Sequence, residues 1–163
     1  MSMAPLLTRS LKLVPRELQE VRAWVEAVDA STKAQLSAGW LAQLHASTVA
    51  DPWLLGFSLV RRAGDIVVGS CGFKGPPAAD GMVEIAYGVA PEHQGKGYAT
   101  EAAQALVAFA YSSGRVRMVR AHTFSEANAS ARVLTKCGFQ HLGEVIDPED
   151  GLVWRWERCQ EAV

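Results

Sequence analysis

Apolar residues recur along this chain with two periods, and the switches between them divide it into elements. Residues 8–14 alternate polar and apolar as on a half-buried strand, and Pro15 follows where the first position of a helix tolerates a missing N–H. Leu18, Val21, Trp24, Val25 and Val28 then return at helical spacing and form one buried stripe. A second helix is expected over about residues 32–45. Residues 53–62 and 66–73 are apolar, β-branched runs joined by Ala63-Gly64-Asp65, which reads as a hairpin. The stretch 74–81 holds Pro76-Pro77 and Asp80-Gly81, a loop ahead of a strand over residues 82–89. After Gln94-Gly95-Lys96-Gly97, the residues Tyr98, Ala102, Leu106, Phe109 and Ala110 mark one face of a long helix that Gly114 closes. A strand over 117–124, a short helix within 125–136 stopped by Gly138, and a hairpin of 139–146 with 152–158 around Pro148-Glu149-Asp150-Gly151 complete the chain.

This order, β-α-α-β-β-β-α-β-α-β-β, predicts an α+β fold: a mixed, mostly antiparallel central sheet of about seven strands flanked by about four helices. No repeat or Gly/Ser linker divides it, so residues 1–163 are read as a single domain. With 49% hydrophobic and 20% charged residues the chain can fill a core, and intrinsic disorder is excluded. Sixteen Lys and Arg against seventeen Asp and Glu give a formal charge of −1, without the positive field that nucleic-acid binding draws on. Three cysteines without a C-x-x-C pair suit a reducing compartment. No apolar run approaches the ~20 residues of a membrane span, and residues 1–11 lack the apolar region of a signal peptide, so a soluble, cytoplasmic protein is expected.

The chemistry concentrates between Val83 and Thr100, where a strand runs into a glycine turn that opens a helix. The first turn of a helix presents unpaired N–H groups and a partial positive charge, and glycines there let a phosphate approach the backbone. Gly95 and Gly97 would equally serve a tight turn with no ligand. Two familiar phosphate motifs fail on spacing. Ala90 and Gly97 stand where a P-loop requires glycine and Ser/Thr, and Thr100 stands where the dinucleotide fingerprint requires glycine or alanine.

The pattern Gln94-x-x-Gly97-x-Ala99, placed after a strand ending near Val89, resembles the GNAT acetyltransferases. So do the blocks Val83-Glu84-Ile85-Ala86-Tyr87, Asn128-Ala129-Ser130 and Val133-Leu134-x-Lys136-Cys137-Gly138-Phe139. The first of these is similar to the corresponding strand of the ribosomal-protein N-acetyltransferase branch, and the resemblance spans about residues 6–158. It implies that the fourth and fifth strands splay apart and that acetyl-CoA lies in the gap. The pyrophosphate would rest on the main chain of Gln94, Gly95, Lys96, Gly97, Tyr98, Ala99 and Thr100. Pantetheine would run along Tyr87, Gly88 and Val89, and Asn128 matches a further cofactor contact with Ser130 nearby. The implied activity is acetyl transfer to a primary amine, of a peptide N-terminus or a small molecule, by direct attack in a ternary complex. A monomer or homodimer without nucleic-acid or membrane partners is expected.

Glu84 is the candidate general base, because an acceptor amine arrives protonated and only its neutral form attacks a thioester. On an alternating strand Glu84 shares a face with Ala86 and Gly88, whereas Val83, Ile85, Tyr87 and Val89 face the core. A salt bridge, with Arg120 as the evident partner, is the alternative for such a carboxylate. Asn128 and Ser130 fit both helix capping and cofactor contact. Where relatives carry a tyrosine as proton donor this chain has Thr135, which leaves the donor open, with Ser130 a candidate that capping explains as well, and makes a non-catalytic acyl-CoA-binding domain the rival reading. The four histidines show no zinc-like spacing and no metal is expected. Cys71 and Cys137 read as core residues, and Trp40 as a pocket candidate. The acceptor would be shaped by residues 29–53 and 74–82.

Overall fold

The computed structural model describes residues 3–34, 36–48, 51–126, 128–148 and 150–160. Gln35, Val49, Ala50, Ala127 and Glu149, which fall within the second helix, the acceptor-shaping stretch, the short-helix segment 125–136 and the last hairpin turn, lie outside the described residues.

Eight strands form one sheet: β1 (Leu6–Leu7), β2 (Leu11–Pro15), β3 (Phe57–Arg61), β4 (Ile66–Phe73), β5 (Met82–Val89), β6 (Met118–Thr123), β7 (Gln140–Asp147) and β8 (Gly151–Cys159). Their order is β1-β2-β3-β4-β5-β6-β8-β7, antiparallel throughout except where β5 meets β6. That parallel contact is confined to Met82↔Met118, Val83↔Val119 and Glu84↔Arg120. Beyond Glu84 the two strands part, so the expected splay lies between β5 and β6, the fourth and fifth strands of the sequence reading.

The helices are α1 (Leu18–Ala27), α2 (Ala30–Ala34), α3 (Ala38–Ala46), α4 (Pro52–Leu55), α5 (Tyr98–Ser112) and α6 (Ala129–Lys136). Helix α5 buries Ala102, Ala103, Leu106 and Ala110 against the sheet residues Leu11, Leu13, Val83, Ile85 and Val119. Trp53, Phe57, Phe73 and Phe109 extend this core as tilted or edge-on ring pairs with centroids 4.6–5.8 Å apart. A smaller cluster of Val21, Val25, Leu44, Leu54 and Leu55 joins α1, α3 and α4.

Four expectations need correcting. The first strand is two: Thr8 and Ser10 leave the alternation to form a turn, with Thr8 N–H donating to the Leu11 carbonyl (2.9 Å). Glu101 of α5 fixes that turn by accepting from Thr8 Oγ1 (2.6 Å) and Ser10 N–H (2.8 Å). The resulting β1 raises the strand count to eight. The predicted second helix is α2 followed by α3, restarted by Ser37, whose hydroxyl caps Trp40 N–H. Residues 53–55 are helical, not strand. Asp51 accepts from Trp53 N–H, Pro52 occupies the first turn, and Gly56, at φ 70°, ends it in a conformation that side chains disfavour. The helix count is therefore six where about four were expected.

Candidate functional site

β5 ends at Val89, a 3₁₀ turn covers Pro91–His93, and the chain then turns into α5. Gly95 (φ 78°) and Gly97 (φ 84°) hold the left-handed conformation there, and a Cβ on either would project into open space. The first bond of α5 is Glu101 N–H to the Gly97 carbonyl (3.1 Å). Among the described residues the amides of Gly95, Lys96, Gly97, Tyr98, Ala99 and Thr100 donate to no protein acceptor. They form a row of free donors at the positive end of a fifteen-residue helix. Gln94 works differently. Its amide donates to Pro91 (3.3 Å) and its side-chain Nε2 to the Val89 carbonyl (3.0 Å), so it shapes the turn.

These donors open onto a groove of 480 Å³ walled by Tyr87, Gly88, Val89, the glycine turn, and Ser130, Arg132 and Lys136 of α6. Arg132 and Lys136 add two cations facing the donor row, a feature the sequence reading missed although both sit at helical spacing on the α6 face that carries Ala129 and Val133. Lys96 is exposed and outside this wall. Asn128 is the N-cap of α6, its Oδ1 accepting from Ala131 N–H (3.0 Å), and also stands outside the wall. Ser130 lines the groove; Thr135 turns its hydroxyl back to the Ala131 carbonyl (2.9 Å).

The β4–β5 register fixes which main-chain groups of β5 face the gap. Glu84 accepts from Lys74 N–H and Ala90 N–H donates to Val68, so the even-numbered residues spend their bonds on β4. Tyr87 and Val89 turn theirs toward the parting from β6. Tyr87 also carries a buried phenolic oxygen without a hydrogen bond. Burial pushes its pKa up to about 12, while the Ser130 hydroxyl pulls the other way without closing a bond to it. A long, anionic ligand with a polar arm fits this groove: free amides and cations at one end, an unsatisfied phenol and an unpaired strand edge at the other.

Tyr87 and Gly88 also line a second cavity, of 380 Å³, whose floor is the β4–β5 pair. Its walls combine Trp24, Leu36, Trp40 and Leu54 with Arg16, Lys74 and Asp150. Trp40 Nε1 donates to the Leu54 carbonyl (2.8 Å), which sets the indole as a wall. Cys71 lines the cavity as a buried thiol pushed up to about 12 by desolvation, an inert group.

Glu84 alternates onto the same face of β5 as Ala86 and Gly88, but it lines neither cavity itself, and its side chain is 14% exposed. The partner is not Arg120, which bonds Glu157 on β8 instead (2.6 and 2.8 Å). Glu84 Oε2 receives the Lys74 ammonium (2.8 Å), and Lys74 in turn contacts Asp150 (2.6 Å). Burial works against the Lys74 charge, yet its hydrogen bonds to Asp150 and Glu84 win and its pKa rises. His122 Nδ1 also meets Glu84 Oε2 (3.1 Å), and Arg155 Nε donates to His122 Nε2 (3.1 Å). Arginine can only donate, so Nε2 is the lone-pair nitrogen and the ring proton sits on Nδ1, directed at Glu84. Glu84 Oε1 has no hydrogen bond among the described residues. Glu84, His122 and Asp147 bring ligand-type atoms within 4.8 Å of one another. The Lys74 ammonium sits on Glu84 and both ring nitrogens of His122 are engaged, which makes the cluster an ion-pair network as it stands.

The sequence reading gave none of Lys74, His122, Asp150 and Arg155 a role beside Glu84, although Lys74 opens the acceptor-shaping stretch 74–82 and does line the cavity. His122 left a trace of its pairing: it follows Arg120, the register partner of Glu84, by two on an alternating strand, and so shares its face.

The model of the acetyltransferase (GNAT) domain matches residues 5–140. An uncharacterized N-acetyltransferase of Bacillus licheniformis is 33% identical over 93 residues, 57% of this chain and 52% of that protein. The chain thus spans about half the length of the curated relatives it matches. An acetyltransferase structure from Agrobacterium tumefaciens superposes with a TM-score of 0.67 at 21% identity, over 98% of this chain and 96% of the other. A ribosomal L7/L12 α-N-protein acetyltransferase in complex with coenzyme A does so with a TM-score of 0.66 at 18% identity, over 94% and 96%. No described helix is long and apolar enough to cross a membrane.

Proposed function

The chain belongs to the GNAT acetyltransferase family, and from that premise we propose that it is an acetyl-CoA-dependent N-acetyltransferase acting on a primary amine by direct attack in a ternary complex. The observation that carries this reading is the row of unspent amides from Gly95 to Thr100, in a groove that meets a second cavity at Tyr87 and Gly88. Donor and acceptor would enter from opposite sides and meet at that junction. Gly95, Lys96, Gly97, Tyr98, Ala99 and Thr100 would hold the pyrophosphate through N–H groups, aided by Arg132 and Lys136. Gln94 would shape the turn, Asn128 would cap α6, and Tyr87, Gly88 and Val89 would flank the pantetheine arm. Bound acetyl-CoA supplies an acetyl group activated as a thioester.

The chain's own residues then have distinct work. The main-chain N–H of Tyr87, facing the gap, would donate to the carbonyl oxygen as negative charge develops on it. Lys74, a cation in the acceptor wall, would disfavour the protonated amine. Glu84, oriented by His122 and Lys74 on Oε2, would take the proton through a water on Oε1. Ser130 and Tyr87 are the hydroxyls in the groove wall available to a departing thiolate, whose ordinary pKa near ~8.5 asks for little help. An α-amine, with pKa ~7.8, is already about a tenth neutral at pH 7, whereas a lysine amine at ~10.4 is far less so. This favours protein or peptide α-amines and small molecules of similar basicity as acceptors. We place the enzyme in the cytoplasm as a monomer or homodimer without nucleic-acid or membrane partners. The test is release of free CoA thiol from acetyl-CoA with a panel of amines. Tight acetyl-CoA binding with no release for any amine would establish the non-catalytic alternative.

A further inference from the structure

Three charged side chains stand in the wall of the acceptor cavity: Arg16, Lys74 and Asp150. Two of them are accounted for, since Lys74 and Asp150 contact each other at 2.6 Å and Glu84 lies behind Lys74. Arg16 is left over. Its main chain is pinned to the cavity rim, Arg16 N–H donating to the Gly56 carbonyl at 3.1 Å, so its position does not depend on what the side chain binds. The side chain is only 22% exposed and lies 5.9 Å over the Trp24 ring. Among the described residues its acidic partner is Glu20, an i,i+4 ion pair 3.6 Å from Nε that is too long for a hydrogen bond and whose carboxylate is mostly exposed. Among the described residues the two terminal guanidinium nitrogens bond to nothing. A largely buried cation with free, forked donors is costly unless an anion meets it, and the planar fork matches a carboxylate.

We infer that Arg16 forms an anion subsite and that the acceptor is an amine that also carries a carboxylate, its apolar body lying against Trp24 and Trp40. This deepens the acetyl-transfer reading and rests on it for the word acceptor; the subsite itself does not. Two sources offer the chemistry, a free amino acid through its own carboxylate and a peptide N-terminus through an acidic side chain.

Because Trp24 and Trp40 line the cavity, binding is read from tryptophan fluorescence without any turnover. The probes are matched pairs: leucine with leucinamide, and peptide amides beginning Ser-Glu with those beginning Ser-Gln. The carboxylate member of at least one pair is expected to bind about 10- to 100-fold more tightly than its amide twin, the worth of a charge-assisted hydrogen bond. Which pair responds identifies the source. Arg16→Gln is expected to abolish the preference and Arg16→Lys to keep part of it, each at an unchanged melting temperature. Equal binding within both pairs, a preference that survives Arg16→Gln, or no binding by either carboxylate member to the wild type overturns the subsite. CoA release is followed in parallel. A carboxylate preference without release for any acceptor leaves the subsite standing and defeats the transferase reading instead.

Discussion

The groove and the cavity that meet at Tyr87 and Gly88 are built on opposite principles. In the proposed reading the groove would bind through the main chain, with six consecutive free amides, supplied by one local turn, doing the recognition. The cavity binds through side chains drawn from Arg16, α1, α3, α4, β4 and the β7–β8 turn, stretches more than a hundred residues apart in sequence. A main-chain site tolerates changes of side chain so long as φ is preserved, which is how one donor can be kept while acceptors diverge. A side-chain cavity is rewritten by single substitutions.

That contrast can be broken most forcefully at the point where the two halves depend on each other. Glu84→Gln keeps the shape and the Lys74 contact but removes the base, so turnover on a true acceptor is expected to fall about 10²- to 10⁴-fold with acetyl-CoA affinity unchanged. Full turnover across neutral pH, measured by CoA release, would free Glu84 from catalysis and leave it a structural partner of Lys74 and His122. On the groove side the sharpest substitution is Gly97→Val. At φ 84° a β-branched residue is strained by roughly 1–3 kcal/mol, and its side chain enters the open space in front of the donors. Acetyl-CoA affinity by calorimetry is expected to drop about tenfold to hundredfold, with acceptor binding in the other cavity unaffected. Unchanged affinity would mean that the amides are not the anion site.

The same contrast decides what could be read from the chain. The glycine turn, the strand before it and the helix after it were legible because turn chemistry, alternation and helical period are local properties, and Glu84 was visible as a carboxylate in an apolar strand. Lys74 was not. It opens the predicted loop 74–81 and looks like a solvated residue until the β7–β8 turn brings Asp150 to it. Arg120 stands beside Glu84 in register, as the sequence reading supposed, yet Glu157 on the antiparallel neighbour β8 captures it, and nothing in the period of either strand announces that pairing. The helical nature of residues 53–55 was missed for a local reason: Asp51, Pro52 and Gly56 are start and stop signals spaced for one turn, and β propensity was allowed to outweigh them.

The smallest expected effect separates the two roles open to Asn128. Its Oδ1 satisfies Ala131 N–H at 3.0 Å, the work of an N-cap, and its side chain is not part of the groove wall. If capping is its role, Asn128→Ala removes about 1 kcal/mol of stability, which for a chain of this size lowers Tm by about 2–4 °C. Acetyl-CoA affinity would then change by less than about twofold, because Ser130 and the amides of the glycine turn remain where they are. Asn128→Asp preserves an acceptor oxygen and so should restore Tm, while placing a negative charge near the phosphates. A tenfold loss of affinity in the alanine variant at unchanged Tm would instead make Asn128 a cofactor contact, and would extend the groove's recognition from the main chain to at least one side chain. The groove would then obey the same rule as the cavity, and the division of labour between them would fail at its narrowest point.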